Sequence, residues 1–90
     1  MTMDAKRKKI LFQSQHCGMK ENDFMLGGFA AARIADLPDA QLADFERLLA
    51  ESDNDIYDWL TGRVQLPARH DNALVRALIA YNNARPDGTP

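Results

Sequence analysis

Leucine, alanine and phenylalanine return at intervals of three and four through most of this chain, and no stretch alternates between apolar and polar in the manner of a strand. β-Branched residues are few and scattered, so an all-α fold is predicted. A first helix over about residues 6–16 turns Ile10 and Leu11 inward. A second carries the stripe Leu26, Phe29, Ala30, Ile34 and Leu37. Pro38 belongs in the first turn of a third, which presents Leu42, Phe45, Leu48 and Leu49. Ser52 or Asp53 can cap a short fourth helix holding Ile56, Trp59 and Leu60, with Gly62 as its stop. After a loop, "RVQLPARH", Asp71 is expected to cap a last helix with the stripe Leu74, Ala77, Leu78 and Tyr81. The expectation is a compact bundle of five short helices in one domain over residues 6–82, with flexible ends at 1–5 and 83–90.

Two features break the regular pattern. "GG" at Gly27 and Gly28 sits inside the second stripe and costs about 1 kcal/mol per glycine relative to alanine, which points to close helix approach or a soft segment. "HCGMKEND", residues 16–23, separates the first two helices. Gly18 suits the left-handed position that ends a helix, and Glu21 and Asp23 fall in the first turn of the next, where the helix dipole favours negative charge. The segment is therefore first a corner between helices.

Ninety residues with one cysteine exclude an intramolecular disulfide and fit a reducing compartment. No run approaches the length of a membrane span, and the basic start leads into "ILFQSQ" rather than a secretory h-region. Lys6, Arg7, Lys8 and Lys9 are followed, between Asp36 and Asp58, by eight acids against Arg47 alone. That acidic middle repels phosphate backbones, so no nucleic-acid partner is expected. It reads either as a solvated helix surface or as an electrostatic docking face.

Candidate chemistry is sparse. Cys17 would need a base within reach to act as a nucleophile, but neighbouring His16 points about 100° away on a helix and His70 has no evident link to it. As a small thiol facing the second helix's N-terminus, its pKa would be somewhat lowered. His16, Glu21 and His70 could be imagined around a metal, though nothing in their spacing requires it. Asp53, Asp55 and Asp58 read as caps and solvated acids, and Trp59 as core rather than a partner hot spot. "GGFAAAR" is not a Walker loop, and the corner lacks side chains aimed at bases. An interaction module remains, with no catalytic residue and no bound metal.

"GMKENDFMLGGFA" and "LPDAQLADFERLLAESDNDIYDWLTGR" resemble the SdhE family, also called succinate dehydrogenase assembly factor 2. Its members carry an Arg-Gly-x-x-Glu motif at a helix corner, then Phe-Glu-x-Leu-Leu and Asp-x-Asp-x-x-x-Trp-Leu segments. The resemblance spans residues 16–62, with weaker similarity in the last helix. It implies a five-helix bundle that binds the flavoprotein subunit of succinate dehydrogenase, and often that of fumarate reductase, and promotes covalent attachment of FAD. FAD would be the client's cofactor, and the histidine that bonds to it the client's own. By residue, Gly18 and Glu21 match the motif, Met19 and Lys20 fill its variable positions, Asp23 resembles an acid that often follows, and His16 stands where a basic residue is common. Cys17 occupies the arginine position, where a thiol cannot make a guanidinium's bidentate contact. The resemblance also implies a second possibility, an antitoxin-like binding role in a toxin-antitoxin pair. The short basic start favours a bacterial cytoplasmic protein over a mitochondrial precursor, and a monomer is expected.

Overall fold

The computed structural model describes residues 4–84. Among them run five α-helices: α1 (Ala5–Gln15), α2 (Lys20–Arg33), α3 (Asp39–Leu49), α4 (Asp53–Leu60) and α5 (Ala73–Asn83). No strand interrupts them among the described residues. Residues 1–3 and 85–90, from the ends expected to be flexible, lie outside the described residues. The first helix begins inside that expected end: Asp4 accepts the Arg7 backbone N–H at 2.8 Å and so fixes the start of α1 at Ala5. At the other end, Asn83 still belongs to α5.

Caps explain most boundaries. The Ser52 hydroxyl, rather than the Asp53 carboxylate, accepts the Asp55 N–H and opens α4. Asn72 caps α5 by accepting the Val75 N–H at 2.9 Å, which corrects the assignment to Asp71. Asp71 lies one residue too early for that bond and instead pairs with Arg76 at 2.8 Å. Pro38 stands at the N-cap of α3 rather than in its first turn, and its carbonyl accepts from Gln41 and Leu42. Leu37 is buried as the stripe suggested, but it follows a 3₁₀ turn at Ile34–Asp36 that ends α2 early.

That junction has an external support. Arg7, from the basic start, donates through Nε to the Ile34 carbonyl at 3.0 Å and through Nη2 to the Leu37 carbonyl. The Ile34 carbonyl also accepts the Leu37 N–H of the 3₁₀ turn at 3.4 Å, and the charged donor adds to that bond and occupies the Leu37 carbonyl beyond it.

Phe29 lies at the centre of the bundle. Its ring is 6.0 Å from Phe45 of α3 and meets Tyr81 of α5 edge-on at 5.6 Å, so α2, α3 and α5 share one aromatic core. Ile10, Leu26, Leu42, Leu48, Leu74 and Leu78 are fully buried around it. Each such side chain contributes about 1.5–3 kcal/mol relative to exposure. Val75 is buried as well, whereas Ala77 and Tyr81 only line the core. Gly27 is a point of close approach: a Cβ there would sit 2.9 Å from Gln15 Cγ and 3.3 Å from the Ser14 carbonyl oxygen. Its missing side chain lets α1 and α2 pack backbone to side chain just below the 16–23 corner.

Candidate functional site at the α1–α2 corner

His16 closes α1, donating its N–H to the Gln13 carbonyl at 3.3 Å. Gly18 then takes φ +97°, the left-handed region anticipated for it. The turn is held from the next helix: the Asp23 carboxylate accepts the Cys17 N–H at 2.5 Å. Asp23 is thus a brace of the corner as well as a first-turn acid of α2.

The thiol of Cys17 donates toward the Gln13 and Ser14 carbonyls, at 3.3 and 3.4 Å. Burial pushes the thiol pKa up to about 12, and the neighbouring Asp23 and Asp53 carboxylates add to the shift. The expected lowering by the α2 N-terminus is therefore overturned: desolvation and two acids outweigh the helix dipole. At neutral pH the group stays a thiol, and a nucleophilic role would need the thiolate.

Met19 is the N-cap of α2 and makes no side-chain capping bond, so its side chain leaves the first N–H groups of that helix unsatisfied. Lys20 and Glu21 are both exposed. Among the described residues, Glu21 makes no ion pair or side-chain hydrogen bond. It projects as a free carboxylate.

The sequence reading missed Asn22. It is fully buried, and its Nδ2 donates to the Asp53 backbone carbonyl at 2.9 Å, fastening α2 to the start of α4. Its Oδ1 has no hydrogen-bond partner. The signal was present, because Asn22 stands four residues before Leu26 on the buried stripe. Asp53 also comes close to Gly18: a Cβ on Gly18 would lie 3.1 Å from Asp53 Oδ2. The corner is consequently a joint of three helices.

Phe12 was also missed. It is 63% exposed, and its ring stacks on His16 with centroids 4.2 Å apart. Beside it lies a cleft of about 230 Å³ whose walls include Cys17, Leu49, Asp53 and Ile56.

The three groups considered for a metal do not act together. His70 is buried in a 3₁₀ turn at Ala68–His70, within the stretch expected to be plain loop. It meets Glu51 at 2.6 Å and packs against Trp59 at 5.3 Å, and Trp59 is itself core as anticipated. His70 and Arg69 both hydrogen-bond Glu51 and hold its carboxyl below the usual carboxylate range. Four of the eight acids between Asp36 and Asp58 are paired: Asp44 with Arg47, Glu46 with Lys6, Glu51 with Arg69 and His70, and Asp58 with Arg63. Asp53 and Asp55, at the corner end of α4, have no ion pair among the described residues.

A family model described as the flavinator of succinate dehydrogenase matches residues 8–82, from the second turn of α1 to the end of α5. The chain belongs to this family. The flavinator family includes similar proteins from both mitochondria and a bacterium. Mitochondrial succinate dehydrogenase assembly factor 2 of Dictyostelium discoideum is 39% identical over 82 residues, which cover 91% of this chain and 58% of that protein. The FAD assembly factor SdhE of Acetobacter pasteurianus is 31% identical over 84 residues, covering 93% and 77% respectively. Succinate dehydrogenase assembly factor 2 of Mycosarcoma maydis, also mitochondrial, is 41% identical over 66 residues, or 73% of this chain and 28% of that protein. The chain thus spans a little over half of the Dictyostelium relative. These names give the antitoxin-like reading no support. Among the described residues no helix is long and apolar enough to cross a membrane.

Proposed function

We propose that this chain is an assembly factor that binds the flavoprotein subunit of succinate dehydrogenase and promotes covalent attachment of FAD to it. The observation that carries the reading is the flavinator family match over residues 8–82. The docking edge in this proposal is the corner: His16, Cys17, Gly18, Met19, Lys20 and Glu21, with Asp23 bracing it from behind. Gly18 lets the client approach the backbone closely, and the unpaired Glu21 accepts hydrogen bonds from the client.

The chain acts without joining the bond chemistry. It binds the client conformer in which flavin and histidine are aligned and so raises its population; a tenfold rise needs only about 1.4 kcal/mol of differential binding. FAD remains the client's cofactor, and this chain supplies neither nucleophile nor metal. A bacterial cytoplasmic monomer is the form in which we propose it works, with the flavoprotein subunit of fumarate reductase as a second client.

The test is covalent flavin fluorescence of the succinate dehydrogenase flavoprotein after denaturing electrophoresis, from cells with and without this chain. Loss of the band on deletion and its return with the intact chain support the proposal. An unchanged band overturns it. Glu21→Ala, at an exposed position, is expected to weaken the band while leaving the fold intact.

A further inference from the structure

The cleft beside the corner carries an inference that deepens the client-binding proposal and rests on it. Its rim is Phe12, an exposed aromatic ring held in place by stacking on His16. Leu49 and Ile56 give its lining an apolar part, and Asp53 lines it beside them. Among the described residues no lysine or arginine lines it. Asp53 has no ion pair among the described residues, and its charge together with that of Asp23 is felt at the Cys17 thiol. Cys17 is short and uncharged, so it leaves both the space and the negative field of this wall unfilled.

We propose that the cleft receives an arginine side chain of the flavoprotein partner, seated between Asp53 and the side of the Phe12 ring that His16 does not cover. A guanidinium meets both walls at once, stacking on an aromatic face and making charge-assisted hydrogen bonds to a carboxylate. An aliphatic side chain would meet the apolar part but strip water from Asp53 without replacing it, which carries a desolvation penalty. Cys17 and the other described residues of the cleft offer no cation to Asp53, so in this proposal the cation comes from the other protein.

The experiment is a titration of the full chain against the purified flavoprotein subunit of succinate dehydrogenase, at low and high salt, for the wild type, Phe12→Ala, Asp53→Asn, Asp53→Glu and Arg76→Ala. Phe12→Ala and Asp53→Asn are each expected to weaken binding about tenfold, the size of a lost cation–π or charge-assisted contact. Asp53→Asn should also flatten the salt dependence, while Asp53→Glu keeps it. Arg76→Ala, on exposed α5 surface, binds as the wild type does, and circular dichroism melts confirm that each variant is folded. Undiminished binding by folded Phe12→Ala and Asp53→Asn overturns the cleft proposal and leaves client binding standing. A loss with Phe12→Ala alone assigns an apolar occupant and overturns the cation. A wild-type chain that does not bind the subunit overturns this proposal and the client reading together.

Discussion

Replacing Gly18 with alanine separates backbone strain from interface chemistry. Gly18 lies at φ +97°, where an L side chain costs about 1–2 kcal/mol. Alanine also restricts the unfolded chain, which returns about 0.4–1 kcal/mol. The new methyl would sit 3.1 Å from Asp53 Oδ2, a flexible carboxylate end that can give by a few tenths of an ångström. The net loss is therefore about 1 kcal/mol, or about 4–8 °C in Tm for a domain of this size. Gly62 supplies the control: its φ is +78°, and a Cβ there meets nothing within 4 Å. Gly62→Ala should lose similar stability. Only Gly18→Ala should also weaken client flavinylation, because only there does the methyl stand on the proposed docking edge and against Asp53. Thermal melts by circular dichroism and the flavin fluorescence assay read the two effects. Equal loss of flavinylation in both variants would show that activity merely follows stability; an unshifted Tm in Gly18→Ala would refute the strain argument.

Three further outcomes are expected. Asn22→Ala removes a buried hydrogen bond between α2 and α4 and should cost about 1–3 kcal/mol in urea denaturation; a loss below 0.5 kcal/mol, on the same order-of-magnitude scale, would mean that the bond to Asp53 holds nothing together. Cys17 should alkylate with iodoacetamide at mildly alkaline pH far more slowly in the folded chain than in urea, since burial and two acids hold it as a thiol; equal rates would contradict that environment. Glu51 has a depressed pKa when folded, so on acidification the unfolded chain binds its proton first: the stabilisation is complete above the ordinary carboxyl value of 4.5 and fades as pH falls through the lower folded value. Melting curves of Glu51→Gln should accordingly show a flatter acid limb, and an identical limb would assign the acid sensitivity elsewhere.

The helices were legible because their determinants are local. Stripes such as Leu26, Phe29 and Ala30 declare a buried face within one turn or two, and Gly18 and Gly62 both sit at the left-handed positions their place after a helix suggested. Cap identity was less legible, because Asp71 and Asn72 are both good capping types and only the register of the following turn decides between them. Long-range polar contacts could not be read at all. Asn22 finds Asp53 31 residues on, and His70 finds Glu51 19 residues back, and no local pattern encodes either meeting. The Cys17 thiol was misjudged because its burial, the largest cause of the raised pKa, exists only once the helices pack, and Asp53 adds to the nearby Asp23 from a different part of the chain. The corner itself was found through its glycine and its acids, whereas the cleft beside it required α1, α3 and α4 to be in place.

The reach of Arg7 ties together parts of the chain that are far apart in sequence. The guanidinium that completes the end of α2 belongs to the seventh residue, while the carbonyls it satisfies belong to the thirty-fourth and thirty-seventh. The placement of this one side chain therefore depends on backbone 27 and 30 residues further along the chain, and α1 and the α2–α3 junction are fastened together as one piece. A cut that removes Arg7 would be felt at the far end of α2, away from the corner, as a loosened hinge between α2 and α3.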